Sequence, residues 1–312
     1  MRTCPECGLS AAQDALQCIR CGAAFAQAVL VDGRYAVEYE LGRGAMGMVY
    51  RARDVLLDRP VALKVISPES ARDSRFVERF RREASALASI EHQNVVQVFT
   101  MGMHAGTYFY AMEYIPGRDL AAIIAEHLSH GTQVPVYIAL TILRQVALGL
   151  HAVHAAGIVH RDVKPANIVI EDRSGRPVLL DFGLARPAEG DAAKATVTAG
   201  TAAYMAPEQI APDGAEDELG PRTDVYALGC TAIELLTGQP PFVEAKLYNY
   251  FDKHLREPAP KLSSRRPELA PLDAIIAKAV QKRPNARYES AAAFAEALDV
   301  AAQRWRSVGT PL

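Results

Sequence analysis

The sequence predicts an α+β fold in two lobes, strand-rich over residues 35–112 and helix-rich over residues 119–302, behind a small cysteine-bearing knuckle. Three observations carry that expectation. From Tyr35 the text runs in strand-like stretches; Val61-Ala62-Leu63-Lys64-Val65-Ile66 is the clearest, a buried strand with one charge in its middle. After Pro116-Gly117 the apolar residues recur at helical spacing instead. Four of the five cysteines fall within the first 21 residues, a stretch too short for a hydrophobic core of its own. Strands followed by helices suggest two lobes with a cleft between them.

The elements follow in order. Residues 1–25 form the knuckle and 26–34 a linker that ends in the turn signal Asp32-Gly33. Phe76, Phe80, Ala84, Leu87 and Ile90 recur at steps of three and four and make the apolar face of a helix, with Glu83 beside it. Residues 113–118 are the hinge of the chain. Ile138, Ile142, Val146, Leu150 and Val153 line a long helix that Gly157 can end. Residues 225–236 are apolar almost all round and predict a buried helix, in which Cys230 reads as a small core residue. Residues 272–280 and 291–301 are two further helices, and 303–312 a tail.

Of the 312 residues half are hydrophobic and 22% charged, an ordinary globular balance for about two domains. A net charge of -2 provides no overall basic field to draw nucleic acid or acidic lipid. The N-terminus lacks an apolar stretch behind a basic start, so no signal peptide is read there. No run is read as reaching the roughly 20 apolar residues of a membrane helix. The expectation is a cytoplasmic protein with neither a membrane nor a nucleic-acid partner.

Cys4-Pro5-Glu6-Cys7-Gly8 and Cys18-Ile19-Arg20-Cys21-Gly22 are two CxxC-Gly units with ten residues between them. Two residues between cysteines let a tight turn aim both sulfurs at one point, and the glycine lets backbone amides approach the thiolates. Two such turns facing each other give the tetrahedral four-sulfur site that zinc favours; with every position filled by protein, the site is structural. Disulfides and free thiols are the alternatives, which this spacing in a reducing compartment disfavours. On these cysteines residues 1–25 resemble the zinc ribbons. Many zinc ribbons bind nucleic acid, but here Arg2 and Arg20 are balanced by Glu6 and Asp14, and zinc with four thiolates adds negative charge, whereas phosphate binding needs positive charge. A protein partner is the expectation.

Leu41-Gly42-Arg43-Gly44-Ala45-Met46-Gly47-Met48-Val49 reads GxGxxGxV. Dinucleotide-binding folds share that spacing, but they require a helix at once and an acidic residue about 20 positions on. Here a strand follows, then Lys64 in the middle of the next one, which fits a glycine hairpin folded over phosphates. A cation inside a buried strand needs a partner. Glu83 is the natural one, and a surface glutamate on that helix is the alternative. Further on come His160-Arg161-Asp162-Val163-Lys164-Pro165-Ala166-Asn167, then Asp181-Phe182-Gly183, then Ala206-Pro207-Glu208. On these motifs the chain resembles the eukaryotic-type serine/threonine protein kinases, close to their bacterial branch, from Tyr35 to Ala302.

The resemblance implies ATP, Mg2+ (or Mn2+) and protein substrates, and it implies roles residue by residue. Gly42, Gly44 and Gly47 close a loop over the phosphates, with Leu41, Arg43, Ala45, Met46 and Met48 around them and Val49 packed on adenine. Ala62 roofs the base, Met112 gates the space behind it, and the backbones of Glu113 and Ile115 meet its edge. Lys64 holds phosphates and Glu83 fixes Lys64. Asp162 takes the proton of the substrate hydroxyl, Lys164 neutralises the moving phosphoryl group, and Asn167 and Asp181 are hard-oxygen ligands for magnesium. Lys164 and Thr201 go with serine or threonine acceptors. Glu208 pairs with Arg287, and Asp224 holds the catalytic loop through backbone contacts. Arg161 meets a phosphate on the activation loop, with Thr196 and Thr198 as acceptors that the kinase itself modifies. Asp213, Glu216, Asp217 and Glu218 lie in a segment a few residues longer than usual, read as a solvated loop against the alternative of a dock for basic substrates. From another class, an ATP-binding pseudokinase scaffold would keep the nucleotide residues without the transfer, and a nucleic-acid-binding ribbon would show salt-dependent binding by residues 1–34.

Overall fold

The computed structural model describes residues 2–4, 7–11, 20, 30–44, 47–67, 70–182, 199–210 and 219–307. Cys18, Cys21, Ala45, Met46, Gly183, Thr196, Thr198 and the acidic residues of 213–218 lie outside them. The chain divides into two units, residues 1–88 with 97–114 and residues 89–96 with 115–312.

In the first unit, a two-stranded hairpin pairs β1 (Arg2–Thr3) with β2 (Ser10–Ala11). Between them the Gly8 amide donates to the Cys4 carbonyl at 3.0 Å and the Cys4 amide to the Leu9 carbonyl at 2.9 Å. Gly8 sits at φ +72°, a conformation glycine adopts without strain. A six-stranded antiparallel sheet then runs in the order β3 (Leu30–Val31), β4 (Tyr35–Gly44), β5 (Gly47–Asp54), β6 (Arg59–Ile66), β8 (Thr107–Glu113), β7 (Val98–His104). Leu30 and Val31, read from sequence as linker, are therefore strand, joined to β4 by the predicted Asp32-Gly33 turn. Period-two alternation divides the sheet's faces. Val37, Tyr50, Ala52, Val61, Leu63, Phe109 and Ala111 form one buried cluster with Val31 and Tyr35. Helix α1 (Ser74–Ala88) carries buried Phe80, Ala84 and Leu87, with Phe76 half-buried. Ile90 falls past its end.

The second unit is mainly helical. It holds α2 (Leu120–Ser129), α3 (Val136–Ala155), α4 (Ala199–Ala202), α5 (Pro207–Ile210), α6 (Pro221–Thr237), α7 (Leu247–Arg256), α8 (Asp273–Ala279) and α9 (Ala291–Ser307). A small antiparallel sheet orders β11 (Pro177–Leu179), β10 (Ile168–Glu171) and β9 (Gly117–Asp119). Helix α6 is buried along nearly its whole length, Cys230 included, as its apolar text predicts. It stops at Gly238, whose φ of +81° and bond to the Glu234 carbonyl at 2.7 Å make a left-handed cap. Helix α3 ends before Gly157, at φ +76°.

Helix α3 corrects two readings. Ile138 is 47% exposed, off the buried stripe of Ile142, Val146, Leu150 and Val153. Steps of four overshoot the helical repeat of 3.6 residues, so a stripe drawn by such steps drifts around the helix. At 20 residues α3 is also long and apolar enough, by length and composition, to cross a membrane. Ten of its residues are buried, and it packs against α9 and α6 within this unit, which is the reason its composition is so apolar.

Candidate active site

Strand register builds one group of candidate residues, within the first unit. In adjacent strands Lys64 pairs with Val49 on one side and Tyr110 on the other, and Ala62 pairs with Met112. Lys64 is 7% exposed, and its Nζ donates to Glu83 Oε1 at 2.9 Å. Glu83 comes from α1 and is fully buried, so the strand cation and the helix anion neutralise each other out of water. The predicted glycine hairpin is the turn between β4 and β5, with Gly44 opposite Gly47 and Gly42 opposite Val49. Gly47 has φ +148°, and a Cβ there would stand 2.0 Å from the Val65 carbonyl oxygen, so only glycine fits. Leu41 is exposed, as is Arg43, while Met48 is half-buried and accepts from the Tyr50 hydroxyl. The Glu113 amide donates to the Gln97 carbonyl at 2.8 Å, which leaves its carbonyl as the backbone group for a base edge.

A second group lies between α3 and β10 and just after β11, in the second unit, to which Ile115 also belongs. Asp162 Oδ2 accepts from Lys164 Nζ and from Asn167 Nδ2, each at 3.0 Å. Lys164 Nζ also donates to Thr201 Oγ1 at 3.0 Å, and Asn167 Nδ2 to the Asp162 carbonyl at 2.8 Å. Asn167 Nδ2 reaches the Asp181 carbonyl at 3.5 Å. With its NH2 committed to Asp162, Asn167 keeps its amide oxygen for a metal ion. That oxygen and the Asp181 carboxylate are the hard ligands that Mg2+ takes, so these residues fit the ion.

Asp224, at the start of α6, fixes the backbone of this loop. Its carboxylate accepts from the His160 and Arg161 amides, each at 2.8 Å, and from His154 Nε2 at 2.8 Å. Arg161 is held at φ +65°, a strained angle for a residue with a side chain, and Gln209 Nε2 donates to its carbonyl at 3.0 Å. The buried Arg161 Nε has no hydrogen-bond partner among the described residues. Complete burial pushes the His160 pKa down, so its imidazole is neutral. Its Nε2–H donates to the Leu180 carbonyl at 3.1 Å, Nδ1 accepts from the Asp162 amide at 3.3 Å, and the ring stacks on Phe182 at 4.3 Å. Arg287 grips Glu208 through both oxygens, at 2.6 and 2.8 Å, with both side chains buried.

Sequence reasoning missed His154, Gln209 and Tyr110. It also missed the contact of the Tyr204 hydroxyl with Glu234. Burial raises the Glu234 pKa, opposed by that hydroxyl. At the knuckle, Cys4 is buried and Cys7 half-buried. Among the described residues no group of three or more His, Cys, Asp or Glu is gathered as for a metal, and the other two ribbon cysteines lie outside them.

Residues 35–298 match the protein kinase domain family. The chain belongs to the protein kinase family. The kinase is 39% identical over 279 residues to the serine/threonine-protein kinase PknL of Mycobacterium tuberculosis, which covers 89% of this chain and 68% of PknL. It is 38% identical to PknF and 40% to PknD of the same organism, but spans 55% and 38% of their lengths. The crystal structure of the M. tuberculosis PknI kinase domain superposes with a TM-score of 0.70 at 34% identity, covering 89% of this chain and 99% of that one. The kinase thus has the fold of that family, a curled β-sheet lobe and a helical lobe, and the family uses ATP with Mg2+ on protein substrates.

Proposed function

We propose that this kinase transfers the γ-phosphoryl group of ATP to serine or threonine hydroxyls of proteins. The observation that carries the reading is the Asp162–Lys164–Asn167 cluster, with Thr201 sharing the Lys164 ammonium. A carboxylate held by two donors on one oxygen is a fixed proton acceptor for an incoming hydroxyl. Lys164, hydrogen-bonded to Thr201, is placed beside that hydroxyl to offset charge on the group in flight. Lys64, fixed by Glu83, holds the α- and β-phosphates, and Glu113 and Ile115 meet the base. Asn167 and Asp181 would hold Mg2+, which supplies charge neutralisation at the phosphates. Transfer requires the Lys64 group and the Asp162 group to serve one nucleotide; most of the catalysis is then positioning, because the transition state is loose.

The buried Arg161 Nε, without a hydrogen-bond partner among the described residues, is suited to a phosphate, which supports autophosphorylation at Thr196 or Thr198. The kinase domain is taken to run over 35–302, in the cytoplasm. Incubation of the purified chain with ATP, Mg2+ and a generic basic protein is expected to yield phosphoserine or phosphothreonine on that protein and added phosphate on the activation loop, read by mass spectrometry. Binding of ATP with no transfer to any protein would favour the pseudokinase scaffold instead.

The Cys4–Gly8 turn supports a zinc site completed by Cys18 and Cys21, with a protein as the ribbon's partner. Metal analysis is expected to find one zinc per chain, lost in the Cys4→Ser/Cys7→Ser double variant with kinase activity retained. Absence of zinc from freshly purified protein would remove the ribbon.

A further inference from the structure

Glu83 is held by more than Lys64. The Tyr110 hydroxyl donates to Glu83 Oε1 at 2.9 Å, the same oxygen that accepts Lys64 Nζ at 2.9 Å. The other oxygen, Oε2, is buried and has no hydrogen-bond partner among the described residues. The whole carboxylate is therefore oriented through one atom, by a flexible four-carbon ammonium on one side and a phenol on the other. The phenol is the stiffer of the two. Tyr110 is 1% exposed, with its ring 5.0 Å from that of the fully buried Phe80 on α1. Lys64 Nζ lies 5.7 Å from the ring centroid, within reach of a cation–π attraction. The strand pleat explains why Tyr110 reaches this spot. Phe109 and Ala111 face the sheet's apolar cluster, so Tyr110 faces the other side, beside its register partner Lys64.

We propose that Tyr110 is a positioning residue for ATP: its hydroxyl fixes the Glu83 oxygen that in turn fixes the Lys64 ammonium. The proposal rests on the reading that Lys64 holds the phosphates. When that ammonium turns part of its donor capacity toward a phosphate, the phenol keeps the carboxylate from swinging after it. The helix bearing Glu83 and the strand bearing Lys64 are thus clasped within a single unit.

Tyr110→Phe keeps the ring against Phe80 and removes the hydroxyl alone. Its KM for ATP is expected to rise about tenfold, the loss typical of a hydrogen bond to a charged group, with kcat within about twofold. Because the hydroxyl acts through the carboxylate, Tyr110→Phe added to Glu83→Gln is expected to lose little beyond Glu83→Gln alone. A purely structural tyrosine would lower the melting temperature and leave the KM for ATP unchanged, and that result overturns the proposal. Lys64→Met tests the underlying reading separately: undiminished transfer there would remove the role of Lys64, whereas inactive Lys64→Met beside wild-type Tyr110→Phe kinetics would remove only that of Tyr110. Should Tyr110→Phe not fold, Tyr110→Met, which keeps buried bulk without a hydroxyl, carries the same comparison.

Discussion

Asp162→Asn is expected to lower kcat about a thousandfold, within the range that positioned general bases contribute, while the affinity for ATP stays within about threefold of wild type. The separation follows from where the contacts lie. Asp162 binds Lys164 and Asn167 in its own unit, and the hydrogen bonds of Lys64 and Tyr110 to Glu83 lie within the other unit. An asparagine has the same size and keeps one oxygen for the Lys164 ammonium, so the loop retains its shape. What it lacks is a site for the departing hydroxyl proton. Its NH2 must also turn away from the Asn167 NH2, which lay on the carboxylate oxygen. Lys64→Met, by contrast, is expected to weaken nucleotide binding and turnover together. Phosphate-transfer rates at saturating ATP, beside calorimetric ATP titrations of both variants, measure the contrast. Retention of more than about a tenth of wild-type kcat by Asp162→Asn would show that the hydroxyl loses its proton without this carboxylate.

The parts of the site legible in the sequence are those in which burial forces a charge to pair or a motif keeps its residues close. Lys64 in an apolar strand demands an anion, and the next helix offers Glu83. Asp162, Lys164 and Asn167 belong to one short motif, and their mutual contacts are local. Glu208 and Arg287 stand 79 positions apart, and no spacing could join them; they were expected through the family resemblance. Tyr110 and His154 went unread because a neutral polar residue among apolar ones demands nothing. A tyrosine in a buried strand reads as core, and a histidine in the last turn of a helix reads as a favourable end residue. The signal for Tyr110 was its parity with Met112, which puts it on the face of Lys64 and Ala62, but its partner depends on how α1 lies on the sheet. Leu30–Val31 is too short a strand for a period of two to show.

Arg287→Met is expected to destabilise the kinase by about 3–5 kcal/mol, and Glu208→Gln by clearly less, although each removes one partner of the same pair. The asymmetry lies in what each loss leaves behind. Arg287 binds more than Glu208: its Nε donates to the Gln281 carbonyl at 2.7 Å, and its two terminal nitrogens to the Arg222 and Lys282 carbonyls, each at 2.9 Å. Its guanidinium also lies 4.8 Å from the Tyr226 ring centroid. Without it, three backbone carbonyls lose a donor, and a buried carboxylate keeps the Thr223 hydroxyl at 2.9 Å. Each buried group left unpaired carries its full desolvation penalty. Glu208→Gln instead leaves the guanidinium with all three carbonyls and an amide oxygen in place of the carboxylate. Thermal melts are expected to fall by on the order of 10 °C for Arg287→Met. The double variant Glu208→Leu/Arg287→Met is expected to recover part of that loss, because removing both charges ends the isolation of either. Equal destabilisation by Arg287→Met and Glu208→Gln would mean that the ion pair alone holds this corner and the carbonyl contacts contribute nothing. Because Glu208 lies six residues beyond Ala202, in the stretch that follows the Thr201 contact to Lys164, the loss is expected to lower transfer activity even below the melting range.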